Sequence, residues 1–331
     1  MSISRRFGER QIIDTIWKNL DVMPKMPVPF GDDVSAVEIG RENLIVLKTD
    51  MLVDKTDVPP GMSLWQACRK AVVMNVSDFA AKGVKPIVML VSLGLPKKLA
   101  TEENAEQIGK GLNAGAREYD AYIIGGDTNE ASDLVISISL FGTARKNTLM
   151  LRSGAKPDDL VAVTGLFGKT AGGLKILVER LKAPKRISKI LTDSVLMPCA
   201  RLKEGLALSQ TRAVSASIDS SDGLVWSLHE IARASNVGFL INSFPTAKEV
   251  ERFAKITKLD PLDLTLYSGE EYELVLTVKP KLWEKAEKAV ERVGGKLFPI
   301  GKVTAEKQVL LEINGEKSII EPRGWEHFKK R

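Results

Sequence analysis

The chain is short of the side chains that most enzymes use for acid–base and thiol chemistry. Its 331 residues include two histidines, His229 and His327, and two cysteines, Cys68 and Cys199. A histidine-rich metal site is therefore excluded, and the cysteines show no metal-binding spacing, so a reducing cytoplasm is the expected compartment. Aromatics make up only 6% of residues and the basic residues are scattered, which excludes a stacking, basic groove for nucleic acid. No apolar run reaches membrane-spanning length and no signal-like segment opens the sequence, so no membrane partner is expected.

What is present is an ordinary globular composition, 44% hydrophobic and 27% charged, in a chain long enough for two domains with cores of their own. The net charge of +6 describes either a lysine-rich solvated surface or a mild pull toward anions such as nucleotides and phosphate esters.

The stretch Leu44–Asp57, LIVLKTDMLVDKTD, organises the rest. Its apolar run Leu44–Leu47 reads as a buried strand ending in Lys48-Thr49-Asp50. A lone Asp there is an ordinary strand terminator, but apolar strands followed by acids recur along the chain. Phe7–Leu20 has the apolar spacing of one helix face. A proline-rich link leads to Gly31-Asp32-Asp33, and Ser63 can cap a helix through Ala81 that carries Asn75-Val76-Ser77-Asp78. Ile87–Leu95 reads as a strand, Thr101–Glu118 as a helix, and Ala121–Ile124 as a strand running into Gly125-Gly126-Asp127-Thr128. Leu134–Thr143 alternates as a half-buried strand should. This first half is βαβαβ-like.

A polar, loop-like stretch over 144–159 places a domain boundary, giving domains 1–145 and 146–331. The second half alternates again. Leu160–Val163 is a strand, a helix runs from Thr170 to Leu181, and Lys185–Leu208 is helical. The strand Ala216–Ile218 ends in Asp219-Ser220-Ser221-Asp222-Gly223. Later come a strand near Glu273–Val278, a helix Lys281–Arg292 and strands near Lys296–Val303, Val309–Ile313 and Ser318–Ile320.

Asp33, Asp50, Asp78, Asp127, Asp219 and Asp222 thus lie at strand ends or on adjoining turns and helix. Hard oxygen ligands in such places suit Mg²⁺ with waters and substrate phosphates. So many carboxylates would repel a polyanion unless divalent ions stood between them, which makes a metal-bridged phosphate site the joint expectation. Val163-Thr164-Gly165-Leu166-Phe167-Gly168-Lys169-Thr170 imitates a phosphate-binding loop, but Val163 occupies the place of the required first glycine. It is read as a glycine-rich helix entry. Arg152 pairs either with a nucleotide phosphate or with an interdomain carboxylate. Trp325 is either core closure or an aromatic lid.

Seven motifs, in order over nearly the whole chain, resemble those of the thiamine-monophosphate kinase family of the aminoimidazole ribonucleotide synthetase superfamily. They are GDD at Gly31–Asp33, TDMLV at Thr49–Val53, NVSDFAAKG at Asn75–Gly83, IGGDT at Ile124–Thr128, RSGAKPDD at Arg152–Asp159, IDSSDGL at Ile218–Leu224 and GEEYEL at Gly269–Leu274. The resemblance implies a two-domain α/β (α+β) protein whose N-terminal sheet forms a homodimer interface with an ATP site near it, followed by a C-terminal α/β domain. It implies transfer of the ATP γ-phosphoryl group to thiamine monophosphate, with several Mg²⁺ ions as cofactor and ATP as co-substrate. Asp33, Thr49, Asp50, Asp78, Asp127, Asp219 and Asp222 take the positions of metal ligands. Gly126, Asp127, Arg152 and Ser221 take those of ATP contacts, and Asp57, Glu270 and Trp325 those of substrate contacts. No side chain is assigned as a catalytic base, because a phosphate-oxygen acceptor is already ionised near neutral pH and catalysis rests on positioning and charge.

The chain departs from the family pattern at Lys48, where Ser or Thr is usual, and at Asp57, where many members carry His. A protonated lysine cannot ligate a metal, so either one ion is absent or the ammonium supplies its charge. Selenophosphate synthetase would want a reactive residue near the N-terminus, and the hydrogenase-maturation carbamoyl dehydratase a C-terminal cysteine; neither is here. A different phosphorylated acceptor and a nucleotide-binding protein without turnover are the alternative readings.

Overall fold

Strand Leu44–Leu47 does not stop at Lys48. In the computed structural model, which describes residues 7–328, it runs on as part of an eleven-residue strand. Five strands, β1 (Ser35–Ile39), β2 (Asn43–Val53), β3 (Lys85–Leu95), β4 (Tyr122–Glu130) and β5 (Val135–Arg145), form the first sheet in the order β1-β2-β5-β3-β4. β5 pairs with β2 at every residue from Asn43↔Arg145 to Val53↔Val135. That unbroken ladder of backbone hydrogen bonds carries β2 through its polar middle. The same reason extends the strand at Ile124 through Gly125–Thr128 to Glu130, since β3 supplies parallel partners along that whole length. Lys48, Thr49, Asp50 and Asp127 are therefore mid-strand residues, not strand terminators. Only β3 and β4 pair in parallel within this sheet, so the first half is a mixed sheet and not a run of βαβ units.

Alternation along β2 sends Leu44, Val46, Lys48, Asp50 and Leu52 to the inner face and Leu47, Thr49 and Met51 to the outer one. The outer face is apolar and open: Leu47, Met51, Leu90, Tyr122 and Ile124 are 40–64% exposed.

The second sheet contains β6 (Leu160–Val163), β7 (Val214–Asp219), β8 (Gly238–Ile241), β9 (Leu274–Val278), β10 (Phe298–Thr304), β11 (Val309–Ile313) and β12 (Glu316–Ile319), ordered β12-β11-β8-β10-β6-β9-β7. The helical region after residue 184 is two helices, Lys185–Leu196 and Leu202–Thr211. Pro198 in the short link cannot continue the first.

Between the sheets lies the helix Leu64–Lys82, and fifteen of its nineteen residues are buried. Ser63 caps its start with Gln66 in a reciprocal box, and Gly83 ends it in the left-handed region at φ 65°. A Cβ on Gly83 would also lie 2.3 Å from Ser209 Cβ, so the helix Leu202–Thr211 packs directly on this turn. The sequence LWQACRKAVVMNVSDFAAK has no continuous polar face, which suits a helix covered on all sides. Val72, Val76 and Phe79 are fully buried, each contributing about 1.5–3 kcal/mol. That helps to offset the burial of Arg69, Lys70, Asp78 and Lys82 on the same helix.

Candidate active site

Each buried charge on the central helix finds a partner from another element. Arg69 donates two hydrogen bonds to Glu118 and one to the Pro198 carbonyl. Lys70 donates to the Asp57 carbonyl at 2.7 Å and to Glu270 Oε1 at 2.5 Å. Lys82 lies 2.8 Å from Asp32 Oδ1 and 2.8 Å from Asp33 Oδ2, and donates to the Ser217 carbonyl at 2.7 Å. Asp78 is 2.8 Å from Lys48 Nζ, reaching in from β2. The helix thus joins β2, the loop 29–34, the end of β7 and the loop 268–273 around one polar centre.

At that centre the carboxylates of Asp33, Asp78 and Asp219 offer oxygens that all lie within 4.8 Å of one another. Burial raises the Asp219 carboxyl to about 6, with the Asp33 charge adding to the effect; Ser77 Oγ donates to it at 2.6 Å. Burial and the Asp219 charge push Asp222 to about 7. Asp78 is also pushed up, by burial and by Asp219 and Asp33 against the pull of Lys48. Asp33 goes the other way. Burial would raise it, but Lys82 and Arg152 outweigh that and hold it below the usual carboxylate range.

Arg152 is committed to this centre from the C-terminal side. Its Nε donates to Asp33 Oδ1 at 2.6 Å and its Nη1 to the Gly31 carbonyl at 2.8 Å, while Glu230 lies 3.3 Å from Nη1. Arg152 thus pairs with a carboxylate from the N-terminal side of the boundary. Asp50 stands at the open side, its side chain 42% exposed and 4.0 Å from Lys48 Nζ.

The other residues singled out in the sequence divide into two groups. Loop 268–273 is laced to the turn 219–223, with Glu270 N donating to the Ser221 carbonyl at 2.6 Å and Tyr272 N to Ser220 at 3.0 Å. Glu270 and Tyr272 both hold positive φ, 62° and 53°, a strained conformation for side-chain-bearing residues. Trp325 N donates to the Asp222 carbonyl at 3.1 Å, bringing the C-terminal tail over the same turn. Ser221, Asp222, Glu270 and Trp325 therefore share one rim. Asp57 closes the end of β2, one carboxylate oxygen accepting from Val53 N at 2.7 Å.

Thr49, Gly126 and Asp127 are elsewhere. Thr49 points to the outer face, where Ser139 Oγ lies 3.5 Å away. Asp127 is exposed on edge strand β4, in register with Ser92, then Ser137, then Met51. Three strand spacings separate β4 from β2, roughly 14 Å, so within one chain Asp127 and Asp50 do not share an ion. A Cβ on Gly126 would meet the Val91 carbonyl at 1.8 Å, so glycine is required there by backbone approach.

The look-alike phosphate loop already holds a carboxyl group of the chain's own. Glu271 Oε1 accepts from Gly168 N at 2.7 Å and from Thr170 N at 3.1 Å, at the N-terminus of the helix Lys169–Leu177. Burial raises this carboxyl to about 7.

Sequence reasoning missed Lys70, Lys82, Asp32, Glu230 and Ser77. The signal for the two lysines was available: charged residues in a helix with no polar face need buried partners.

The profile of the family described as AIR synthase related protein, N-terminal domain, matches residues 31–144, and that of its C-terminal domain matches 156–314. A thiamine-monophosphate kinase of Nitrosopumilus maritimus is 37% identical over 299 residues, covering 90% of this chain and 93% of the relative. The chain belongs to the thiamine-monophosphate kinase family. The Pyrococcus horikoshii thiamine-monophosphate kinase is 39% identical over 90% of this chain and 91% of its own. Among solved structures, AaThiL complexed with AMPPCP and TMP superposes with a TM-score of 0.86 at 28% identity, over 99% of this chain and 100% of that one. Members of this family share the two-sheet α/β architecture described above.

Proposed function

We propose that the chain phosphorylates thiamine monophosphate with ATP, giving thiamine diphosphate. The observation that carries this reading is the carboxylate centre of Asp33, Asp78 and Asp219 with Asp50 and Asp222 beside it. Two phosphate-bearing substrates can meet there only with divalent cations between them and the protein. The donor set fits Mg²⁺: every candidate ligand is a hard oxygen, and burial together with neighbouring carboxylates raises Asp78, Asp219 and Asp222, a cost of holding negative charge there that a cation would offset. Asp50, Asp78, Asp219 and Asp222 would hold such ions, with Asp33 behind them; when bound, they supply charge neutralisation for the transferring phosphoryl group.

Transfer is a direct in-line displacement. A phosphate oxygen of the acceptor forms the new bond to Pγ while the bond from Pγ to the β–γ bridging oxygen breaks and leaves with ADP. No proton has to be removed first, because the phosphate oxygen of the acceptor is already ionised near neutral pH. The chain's own residues position and exclude. Ser221 and Arg152 border the nucleotide side, while Glu270, Trp325 and Asp57 border the acceptor side, the indole presenting a face for a flat ring.

The open apolar face of the first sheet is read as the contact with a second copy of the chain, which would cover Leu47, Met51 and Tyr122 and bring Thr49, Gly126 and Asp127 of β2 and β4 to a shared boundary. Incubation with Mg²⁺, ATP and thiamine monophosphate, followed by chromatography for thiamine diphosphate, tests the activity. ATP binding without product would favour a binding protein instead. Asp127→Asn should abolish turnover with an unchanged circular-dichroism spectrum, and full activity in that variant would remove the metal and nucleotide contact that the family resemblance gives Asp127 at that boundary.

A further inference from the structure

The acidic centre already contains cations of its own, and they are unequally placed. Lys82 is fully buried behind Asp33 and bonded to three oxygens. Arg152 clamps Asp33 from the far side. Both therefore belong to the framework that holds Asp33. Lys48 differs in each respect. It comes from the middle of β2, on the same inner face as Asp50 two residues on. Its ammonium lies 2.8 Å from Asp78 Oδ2 and 4.0 Å from Asp50 Oδ2, with no other partner among the ion pairs of the described residues. Its side chain is 19% exposed, between the 10% of Asp78 and the 42% of Asp50. The charge thus stands at the mouth of the centre, bridging an inner and an outer carboxylate.

We propose that Lys48 is the resident cation of this centre: its ammonium stands against Asp78 on the side open to Asp50, where it competes with a divalent ion for the Asp78 carboxylate, and so sets how many such ions the chain takes up before nucleotide arrives. The inference rests on reading the centre as a divalent-cation site, and extends it to this chain's own economy of charge. An ion approaching Asp78 from solvent meets a positive charge within hydrogen-bond distance of the oxygen it needs. Like charges about 4 Å apart in a partly exposed site change affinity by roughly tenfold or more. A lysine can also swing aside on its flexible stem, which makes occupancy of this edge by a metal ion conditional on displacement.

The test uses Mn²⁺ alone, without nucleotide or thiamine monophosphate, titrated into the full chain by calorimetry and by the electron paramagnetic resonance signal of free Mn²⁺. Lys48→Met and Lys48→Gln remove the charge; Lys48→Arg keeps it. The expected result is one additional Mn²⁺ per chain in the first two variants, or the same number bound at least tenfold tighter, with Lys48→Arg matching the parent. Mn²⁺ should also raise the thermal midpoint of Lys48→Met more than that of the parent. Equal stoichiometry and affinities within twofold across all four proteins would overturn the proposal, as would no bound Mn²⁺ in any of them. Should Lys48→Met fail to fold, the comparison of Lys48→Gln with Lys48→Arg decides alone. Because no substrate is present, failure to make thiamine diphosphate would refute the kinase reading without touching this result.

Discussion

Replacing Lys82 by Met isolates the electrostatic part of the interdomain framework. The side chain is completely buried, and its ammonium is shared among Asp32, Asp33 and the Ser217 carbonyl at 2.7–2.8 Å. Methionine fills nearly the same space, so the cavity contribution is small. The loss is the charge. Among the described residues, Asp33, whose side chain has no solvent exposure, would keep Arg152 alone as a direct ion-pair partner, and Asp32, 3% exposed, would lose its one direct ion pair. Removing one member of a buried ion pair costs about 3–5 kcal/mol, because the remaining charge is left uncompensated. For domains of this size that lowers the thermal midpoint by about 10 °C. The assay is thermal unfolding followed by circular dichroism at pH 7.5, on the parent, Lys82→Met and the double variant Lys82→Met/Asp33→Asn. The double variant should recover at least half of the loss, since Asn removes the orphaned charge. A single-variant loss below about 1 kcal/mol, or a double variant no better than the single one, would refute the assignment of Lys82 as the counter-ion that lets Asp33 be buried.

Two further outcomes are expected. The folded-state values of Asp219 and Asp222, about 6 and about 7, lie above their unfolded value of 3.8. Stability from these groups is therefore fully present at pH below that unfolded value and is lost as pH rises through 6 to 7; without divalent ions the midpoint should fall between pH 5 and 8 by an amount corresponding to a few kcal/mol. Added Mg²⁺ or Asp219→Asn should flatten the profile, and a metal-free midpoint that rises over that range would contradict the assigned environments. Trp325→Ala should raise KM for thiamine monophosphate about tenfold while leaving KM for ATP within twofold, and steady-state kinetics with each substrate varied in turn separates the two.

Much of the chemistry is legible residue by residue. The Asp at 33, 78 and 219 could be named because acids recur at the ends of apolar strands and on an adjoining turn and helix, although each alone reads as an ordinary turn-former, and the structure gathers these three within 4.8 Å. The element boundaries were less legible. β2 looked as if it ended at Lys48 because a strand's own composition does not report its neighbour, and it is β5 that supplies the partners beyond that point. β1 was not read at all: SAVEI is short and flanked by turns, and it is a strand because β2 lies beside it.

The sequence by itself determined the carboxylate inventory, the scarcity of histidine, the alternation of strands and helices in both halves, and the family. These are local properties, set by which side chains exist and how apolar ones are spaced. Only the tertiary structure decided that Thr49 and Asp127 face away from Asp33, Asp78 and Asp219, that Arg152 pairs with Asp33, and that Lys48 near the mouth and Lys82 at the base share the counter-charge with it. The reason is that charge interactions depend on distances of a few ångströms between groups far apart in the sequence, 200 positions for Lys70 and Glu270, and those distances exist only once both sheets have closed on the helix Leu64–Lys82.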